Sequence, residues 1–153
     1  MLLKLNSLKI DKSPGIDNIH LWVLKEVKIE IKDFLTKLFN LSLSTGHLPL
    51  DWKLSTVTAI HKKGSKSEVS NYRPISLTSI VCKILESLII DKIMHYLTTN
   101  NLLSKYQFGF VKGRSTVLQL LNLLDTWTKD LDKYEAIDVI YTDFEKAFDK
   151  VPH

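Results

Sequence analysis

The sequence lacks the features of several protein classes. A single cysteine, Cys82, rules out a disulfide framework and favours a reducing compartment. The five histidines are scattered and form no zinc motif. No apolar run approaches the about 18 residues of a membrane-spanning helix, and the N-terminus lacks the apolar core and cleavage site of a signal peptide. We therefore expect an intracellular, soluble protein with no membrane partner; these features do not distinguish nucleus from cytoplasm.

Arginine is also scarce, although the chain is basic. Lysine and arginine number 21 against 17 aspartates and glutamates, which gives a net charge of +4. Only Arg73 and Arg114 are arginines, and the sequence places both in turn-rich loops, whereas the predicted helix faces use lysine. The guanidinium fork suits two-point phosphate contact, so both are candidate anion-binding residues. Arg73 has an alternative role, stacking on Tyr72 or capping a carbonyl group.

Apolar residues recur at helical spacing in most of the chain. The pattern predicts a short helix over 2–10 and a long one over about 18–45, which Asp17 or Asn18 caps and Gly46 ends. Two further helices are predicted over about 78–98 and 115–131. The last two helices are expected to bury one face each: Val81, Ile84, Leu85, Leu88 and Ile89 in the first, and Val117, Leu120, Leu121, Leu124 and Leu131 in the second.

Two segments have the composition of β-strands, residues 54–60 and 136–142. With helices in the majority, the predicted class is α+β, with a small antiparallel sheet. Two strands seldom form a stable sheet alone, so we expect the fold to need more strands than the sequence supplies. An unstable fragment is one alternative that this leaves open.

Asp143 follows the second predicted strand directly and is the principal catalytic candidate. A carboxylate at a strand end can hold a divalent metal, and the backbone carbonyl of Phe144 can add a second oxygen ligand. Alternatively, Asp143 caps a helical turn over residues 144–150. Phe148 either packs in the core or presses on the sugar of a nucleotide.

Three loop motifs are candidates for binding nucleic acid. Lys62 and Lys63 precede a glycine and can reach a phosphate, although such lysines are often only solvated. Gly113 and Arg114 lead into a helix whose N–H groups can bind an anion, or Ser115 simply caps that helix. The preceding aromatic residues either stack on bases or join the core: Tyr106, Phe108 and Phe110.

The order of these motifs is more specific than any one of them. The chain contains Lys12-Ser13-Pro14-Gly15-x-Asp17, Trp52-Lys53, His61-Lys62-Lys63-Gly64, Asn71-Tyr72-Arg73-Pro74-Ile75-Ser76-Leu77, Gly109-Phe110-x-Lys112-Gly113-Arg114-Ser115 and Asp143-Phe144-x-Lys146-Ala147-Phe148-Asp149-x-Val151-Pro152-His153. Over essentially its whole length it resembles the reverse transcriptases of non-LTR (LINE-type, jockey-like) retrotransposons. It departs from them at Ala59, Phe108 and Val111, where proline, histidine and arginine are frequent.

The resemblance implies a role for each site residue. Asp143 is the catalytic aspartate and, with the backbone of Phe144, a ligand in a two-metal Mg²⁺ site. The nucleotide-binding residues are Lys62, Lys63, Arg73, Phe144, Ala147 and Phe148, of which Phe148 selects deoxynucleotides. Lys112, Gly113 and Arg114 lie near the template. The implied partners are an RNA template, a DNA primer and deoxynucleoside triphosphates.

The resemblance also implies a right-hand polymerase architecture, with an N-terminal extension over about 1–50, fingers over 51–135 and the start of an incomplete palm over 136–153. The family's Tyr-x-Asp-Asp motif, the rest of the palm and the thumb are missing here. We therefore predict a fragment of an RNA-directed DNA polymerase, a nucleotidyltransferase, that is inactive alone. The alternative is a relic or domesticated module that binds RNA or nucleotide without chemistry.

Overall fold

The computed structural model describes residues 1–133, 136–144, 147 and 151. The chain forms two compact units, Met1–Asn100 and Asn101–His153. The described part is helix-rich with one two-stranded antiparallel sheet, as the α+β prediction states. None of its helices combines the length and apolar character needed to span a bilayer.

The first unit contains four helices and the sheet. Helix α1 covers Leu2–Asn6 only, shorter than predicted. The long predicted helix is divided at Val27 into α2, Leu21–Glu26, and α3, Lys28–Thr45. The elements that follow are a 3₁₀ turn at Leu50–Lys53, strand β1 at Ser55–His61, a second 3₁₀ turn at Val69–Asn71, strand β2 at Tyr72–Thr78 and helix α4 at Ile80–Thr99.

The predicted helix ends are partly wrong. Asn18 has a left-handed backbone, φ 53°, so the helix cannot begin there, and His20 is the N-cap of α2. Asp17 instead accepts a hydrogen bond from the Ile19 amide at 3.1 Å, which closes a local turn. The predicted stop is confirmed: Gly46 has φ 69° and ends α3, because glycine adopts this conformation without a Cβ clash.

The core of the first unit lies between α1, α2, α3 and α4. The predicted face of α4 is confirmed, since Val81, Ile84 and Leu85 are buried, while Leu88 and Ile89 are partly buried against the core. Phe39 of α3 meets Trp52 edge to face, with ring centroids 5.7 Å apart. The other buried apolar residues are Leu5, Leu21, Leu24, Leu35, Ile80 and Cys82.

Burial and the neighbouring Glu86 raise the pKa of the Cys82 thiol to about 11. The thiol therefore stays protonated near neutral pH, and its Sγ donates to Glu86 Oε1 at 3.6 Å. Cys82 is a buried core residue, and its protonated thiol is a poor nucleophile near neutral pH.

The predicted strand over residues 136–142 is wrong, and the partner of β1 is a strand that the sequence did not predict. β1 pairs with β2, from Ser55 opposite Thr78 to His61 opposite Tyr72, and residues 136–144 form neither strand nor helix. Strand β2 was not predicted because it contains Pro74. Proline lacks an amide donor and therefore argues against a central strand. In a two-stranded sheet both strands are edges, so Pro74 is tolerated opposite Ala59.

The second unit contains helix α5, Thr116–Leu131, where the sequence predicts it. Ser115 is its N-cap, and the Ser115 hydroxyl accepts from the Leu118 amide at 3.2 Å. The predicted burial of its apolar face is wrong, because periodicity indicates an apolar face but not what covers it. Each of the five predicted residues is more than half exposed: Val117, Leu120, Leu121, Leu124 and Leu131.

Candidate functional site

The β1–β2 hairpin of the first unit carries three of the predicted site residues, Lys62, Lys63 and Arg73. Arg73 is directly opposite Ile60, and the Lys62 amide donates to the Asn71 carbonyl at 2.8 Å, so pairing continues beyond β1. Since side chains alternate along paired strands, Lys62 shares the face of Ile60 and Arg73. Lys62, Lys63 and Arg73 are all exposed. The sequence placed Arg73 in a loop, whereas the structure places it on a strand.

The loop between these strands is held by its own hydrogen bonds. The Asn71 side-chain amide donates to the Ser65 carbonyl at 2.9 Å, and the Tyr72 hydroxyl donates to the Lys66 carbonyl at 2.9 Å. Gly64 has φ 83°, a conformation that favours glycine, and a Cβ there would lie 2.7 Å from Asn71 Nδ2. Because the loop is already ordered, it would lose less conformational entropy on binding a ligand than a flexible loop would.

In the second unit the Arg114 side chain binds the loop that contains Tyr106 and Phe108. Its Nη1 donates to three backbone carbonyls, those of Ser104 at 3.1 Å, Lys105 at 2.9 Å and Gln107. Its guanidinium also lies over the ring of Phe108, with Cζ 5.4 Å from the centroid. The sequence predicts an anion-binding or template role for Arg114 and does not reveal these bonds, because their partners lie seven to ten residues earlier in the chain.

The other two predicted template residues, Lys112 and Gly113, directly precede Arg114 in the sequence. Gly113 has φ 82°, which turns the chain into α5, and the Arg114 amide donates to the Val111 carbonyl at 3.1 Å. Lys112 is exposed beside it. Lys112, Gly113 and Arg114 therefore form one tight turn at the start of α5, and their template role stays a prediction.

The remaining predicted site residues follow α5. Asp143, Phe144 and Ala147 are exposed, with Phe144 83% exposed, and Asp143 makes no hydrogen bond or ion pair with a described residue. Asp143 lies within residues 136–144, which form neither strand nor helix, instead of following the strand that the sequence predicts. Phe148 lies outside the described residues.

Asp143 supplies a carboxylate and Phe144 a backbone carbonyl, oxygen donors of the kind that Mg²⁺ takes. Among the described residues, however, no three His, Cys, Asp or Glu side chains come together. Two divalent ions need several shared carboxylates. Asp143 and Phe144 could thus supply two oxygen ligands of a two-metal site, and the described residues do not assemble a complete one.

Comparison with known proteins identifies the family. The profile of the family described as reverse transcriptase (RNA-dependent DNA polymerase) matches residues 60–153, more than half of the chain. The chain belongs to the reverse transcriptase family. The match includes the hairpin lysines, Arg73, the Arg114 turn and Asp143, and reverse transcriptases in general use divalent metal ions.

Relatives from Drosophila melanogaster narrow the assignment. The chain is 35% identical over 150 residues to the probable RNA-directed DNA polymerase from transposon BS, 33% over 144 to that from transposon X-element, and 30% over 147 to the RNA-directed DNA polymerase from mobile element jockey. These alignments cover 97%, 94% and 95% of the chain but only 17%, 16% and 16% of the relatives. The predicted resemblance to non-LTR retrotransposon reverse transcriptases is confirmed, and the chain spans about a sixth of these relatives' length.

Proposed function

We propose that this chain holds the incoming deoxynucleoside triphosphate and the RNA template in an RNA-directed DNA polymerase of a non-LTR retrotransposon. The observation that supports the proposal most strongly is the ordered hairpin, which presents Lys62 and Arg73 on one face within the segment that matches the family. Lysine and arginine at a fixed spacing complement a triphosphate, which needs several cationic donors at once.

The two cation types have different roles in the proposal. Arg73 supplies a planar guanidinium group that can contact two phosphate oxygens at once. Its position on β2 fixes the backbone point from which the side chain extends. Lys62 and Lys63 are flexible point charges that follow the phosphates as the nucleotide enters. Positive charge on this hairpin also raises the local concentration of the anionic substrate.

The residues after α5 are proposed to act at the reacting phosphates and at the sugar of the nucleotide. Asp143 is the proposed catalytic carboxylate, and with the Phe144 carbonyl it would hold Mg²⁺, which supplies charge neutralisation at the phosphates when bound. Ala147 and Phe148 are proposed to contact the sugar, where the Phe148 ring excludes a ribonucleotide. The inactivity of the chain alone stays a prediction.

The architecture proposed with this function divides the chain by role. Residues about 1–50 form the N-terminal extension, 51–135 the fingers and 136–153 the first part of the palm. Lys112, Gly113 and Arg114 approach the RNA template, whose phosphates attract Lys112, and a DNA primer pairs with that template.

Triphosphate binding by the 153-residue chain tests the proposal. We expect a fluorescent deoxynucleoside triphosphate to bind the chain and to be displaced by inorganic tripolyphosphate but not by the deoxynucleoside. Arg73→Ala should weaken binding about tenfold or more, because it removes charge-assisted hydrogen bonds worth about 1.5–3 kcal/mol. The double variant Lys62→Ala/Lys63→Ala should weaken binding to a similar extent. The measurement is the dissociation constant by fluorescence anisotropy.

The matched control is Lys37→Ala, which removes one exposed lysine from α3. If the hairpin and Lys37 variants weaken binding equally, the triphosphate responds only to net charge and the hairpin site is refuted. Displacement by the deoxynucleoside alone would also contradict the proposal.

A non-catalytic binding module is the second candidate function. It requires only the exposed cations of the hairpin and no metal site. This function predicts the same triphosphate and RNA binding, but no dependence of DNA synthesis on Asp143. The Asp143→Asn experiment described in the Discussion therefore distinguishes the two functions.

A further inference from the structure

The loop between α4 and α5 forms an aromatic pocket. A cavity of about 450 Å³ is lined by Lys105, Tyr106 and Phe108 of the loop and by Leu118 and Asn122 of α5. That volume lies within the range of about 300–1,000 Å³ typical of small-molecule sites. Leu118 and Asn122 are four residues apart in one helix, so they share a face and form one wall.

Cations accompany the aromatic rings of this pocket. Lys105 Nζ lies 4.9 Å from the Tyr106 ring centroid, and the Arg114 guanidinium lies over Phe108. From residue 101 to residue 124 the chain carries Lys105, Lys112 and Arg114 and no aspartate or glutamate. The pocket therefore combines aromatic faces with positive charge and no carboxylate.

The pocket is ordered before a ligand arrives. The Arg114 side chain bonds three loop carbonyls, and the Tyr106 amide donates to Ser104 Oγ at 3.2 Å. These bonds fix the backbone on both sides of Tyr106, whose side chain nevertheless stays 69% exposed. A fixed backbone with an exposed ring presents a flat stacking surface at little entropic cost.

We propose that this pocket binds an unpaired base of single-stranded RNA by stacking on Tyr106. Aromatic faces stack on any base, and Lys105 is placed to neutralise the adjacent phosphate. Asn122 carries an amide that can hydrogen-bond the base edge. Arg114 is then a positioning residue, which acts on RNA through the loop that it holds. The inference rests on the proposed function, since it identifies where the template strand is gripped.

The test compares two RNA oligonucleotides of equal length and charge, one with its bases and one with abasic sites, bound to the 153-residue chain. We expect the base-bearing RNA to bind more tightly. Tyr106→Ala should weaken the binding of that RNA about tenfold and leave the affinity for the abasic RNA unchanged. The reason is that stacking on an aromatic residue strengthens the binding of each base by about this factor. The measurement is fluorescence anisotropy at several salt concentrations.

The control variant is Tyr96→Ala, which removes a tyrosine of similar exposure, 61%, from α4 outside the pocket. It should change neither affinity. Arg114→Lys keeps the charge but loses the guanidinium fork, so the preference for base-bearing RNA should fall while the salt slope stays the same.

Equal binding of both RNAs, or a Tyr106→Ala variant that binds as tightly as the wild type, would overturn the proposal. If the pocket instead binds a polypeptide segment, the Tyr106→Ala variant should bind RNA as tightly as the wild type. If the chain binds triphosphate but not bases, only this pocket is refuted. If it binds neither ligand, the proposed function fails as well.

Discussion

Gly15→Ala is expected to destabilise the protein by about 3 kcal/mol or more, an unusually large effect for one methyl group. Gly15 is buried against the junction of β2 and α4. A Cβ there would lie 2.6 Å from the Thr78 carbonyl carbon and 2.8 Å from the Ser79 nitrogen. These are backbone atoms, so relief requires movement of the β2–α4 junction rather than a change of rotamer.

The measurement is thermal unfolding followed by circular dichroism. A loss of this size should lower the midpoint by about 10 °C in a chain of this length. Gly109→Ala is the matched control, since a Cβ at Gly109 meets no heavy atom of the described residues within 4 Å and its φ is not positive. Its midpoint should stay near that of the wild type. Equal midpoints for the two variants would show that Gly15 does not pack as the structure has it.

Asp143→Asn should lower RNA-templated DNA synthesis by about a thousandfold or more. The experiment uses a chimera in which this chain replaces the matching segment of the jockey RNA-directed DNA polymerase, with which it aligns over 147 residues. Asparagine keeps the shape of the side chain but removes the charge that a metal ligand needs. Because Asp143 is exposed and bonds no described residue, the change should leave the unfolding midpoint unaltered.

Asp138→Asn is the control for this experiment. Asp138 is also exposed and lies in the same segment without regular secondary structure, five residues before Asp143. It should retain near-wild-type synthesis. An Asp143→Asn chimera that retains more than a tenth of the wild-type rate would contradict the catalytic role and favour the non-catalytic binding module.

Sequence periodicity predicted the helices well because it depends on local spacing. Helices α4 and α5 lie where the pattern places them, and Gly46 ends α3 as its conformational freedom predicts. The α2–α3 division was missed, since Val27 continues the apolar pattern even though its backbone leaves helical geometry at ψ 19°. Periodicity reports which residues are apolar and not where the backbone bends.

Contacts between distant residues were much harder to predict. The pairing of β1 with β2 could not be predicted from the sequence, because Arg73 and Pro74 lie in a stretch whose composition is typical of a turn. The hydrogen bonds from Arg114 to carbonyls seven to ten residues earlier could not be predicted either. Candidate site residues were found through motif order, whereas the hydrogen bonds that orient them depend on the folded backbone.

The most direct test of the account is the Michaelis constant of the chimera for a single deoxynucleoside triphosphate on an RNA template, with Arg73 intact and with Arg73→Ala. The central claim is that the hairpin cations hold the triphosphate during synthesis. It predicts that Arg73→Ala raises the Michaelis constant about tenfold or more, whereas Lys37→Ala leaves it unchanged. An unchanged Michaelis constant and turnover rate in a folded, active Arg73→Ala chimera would contradict it.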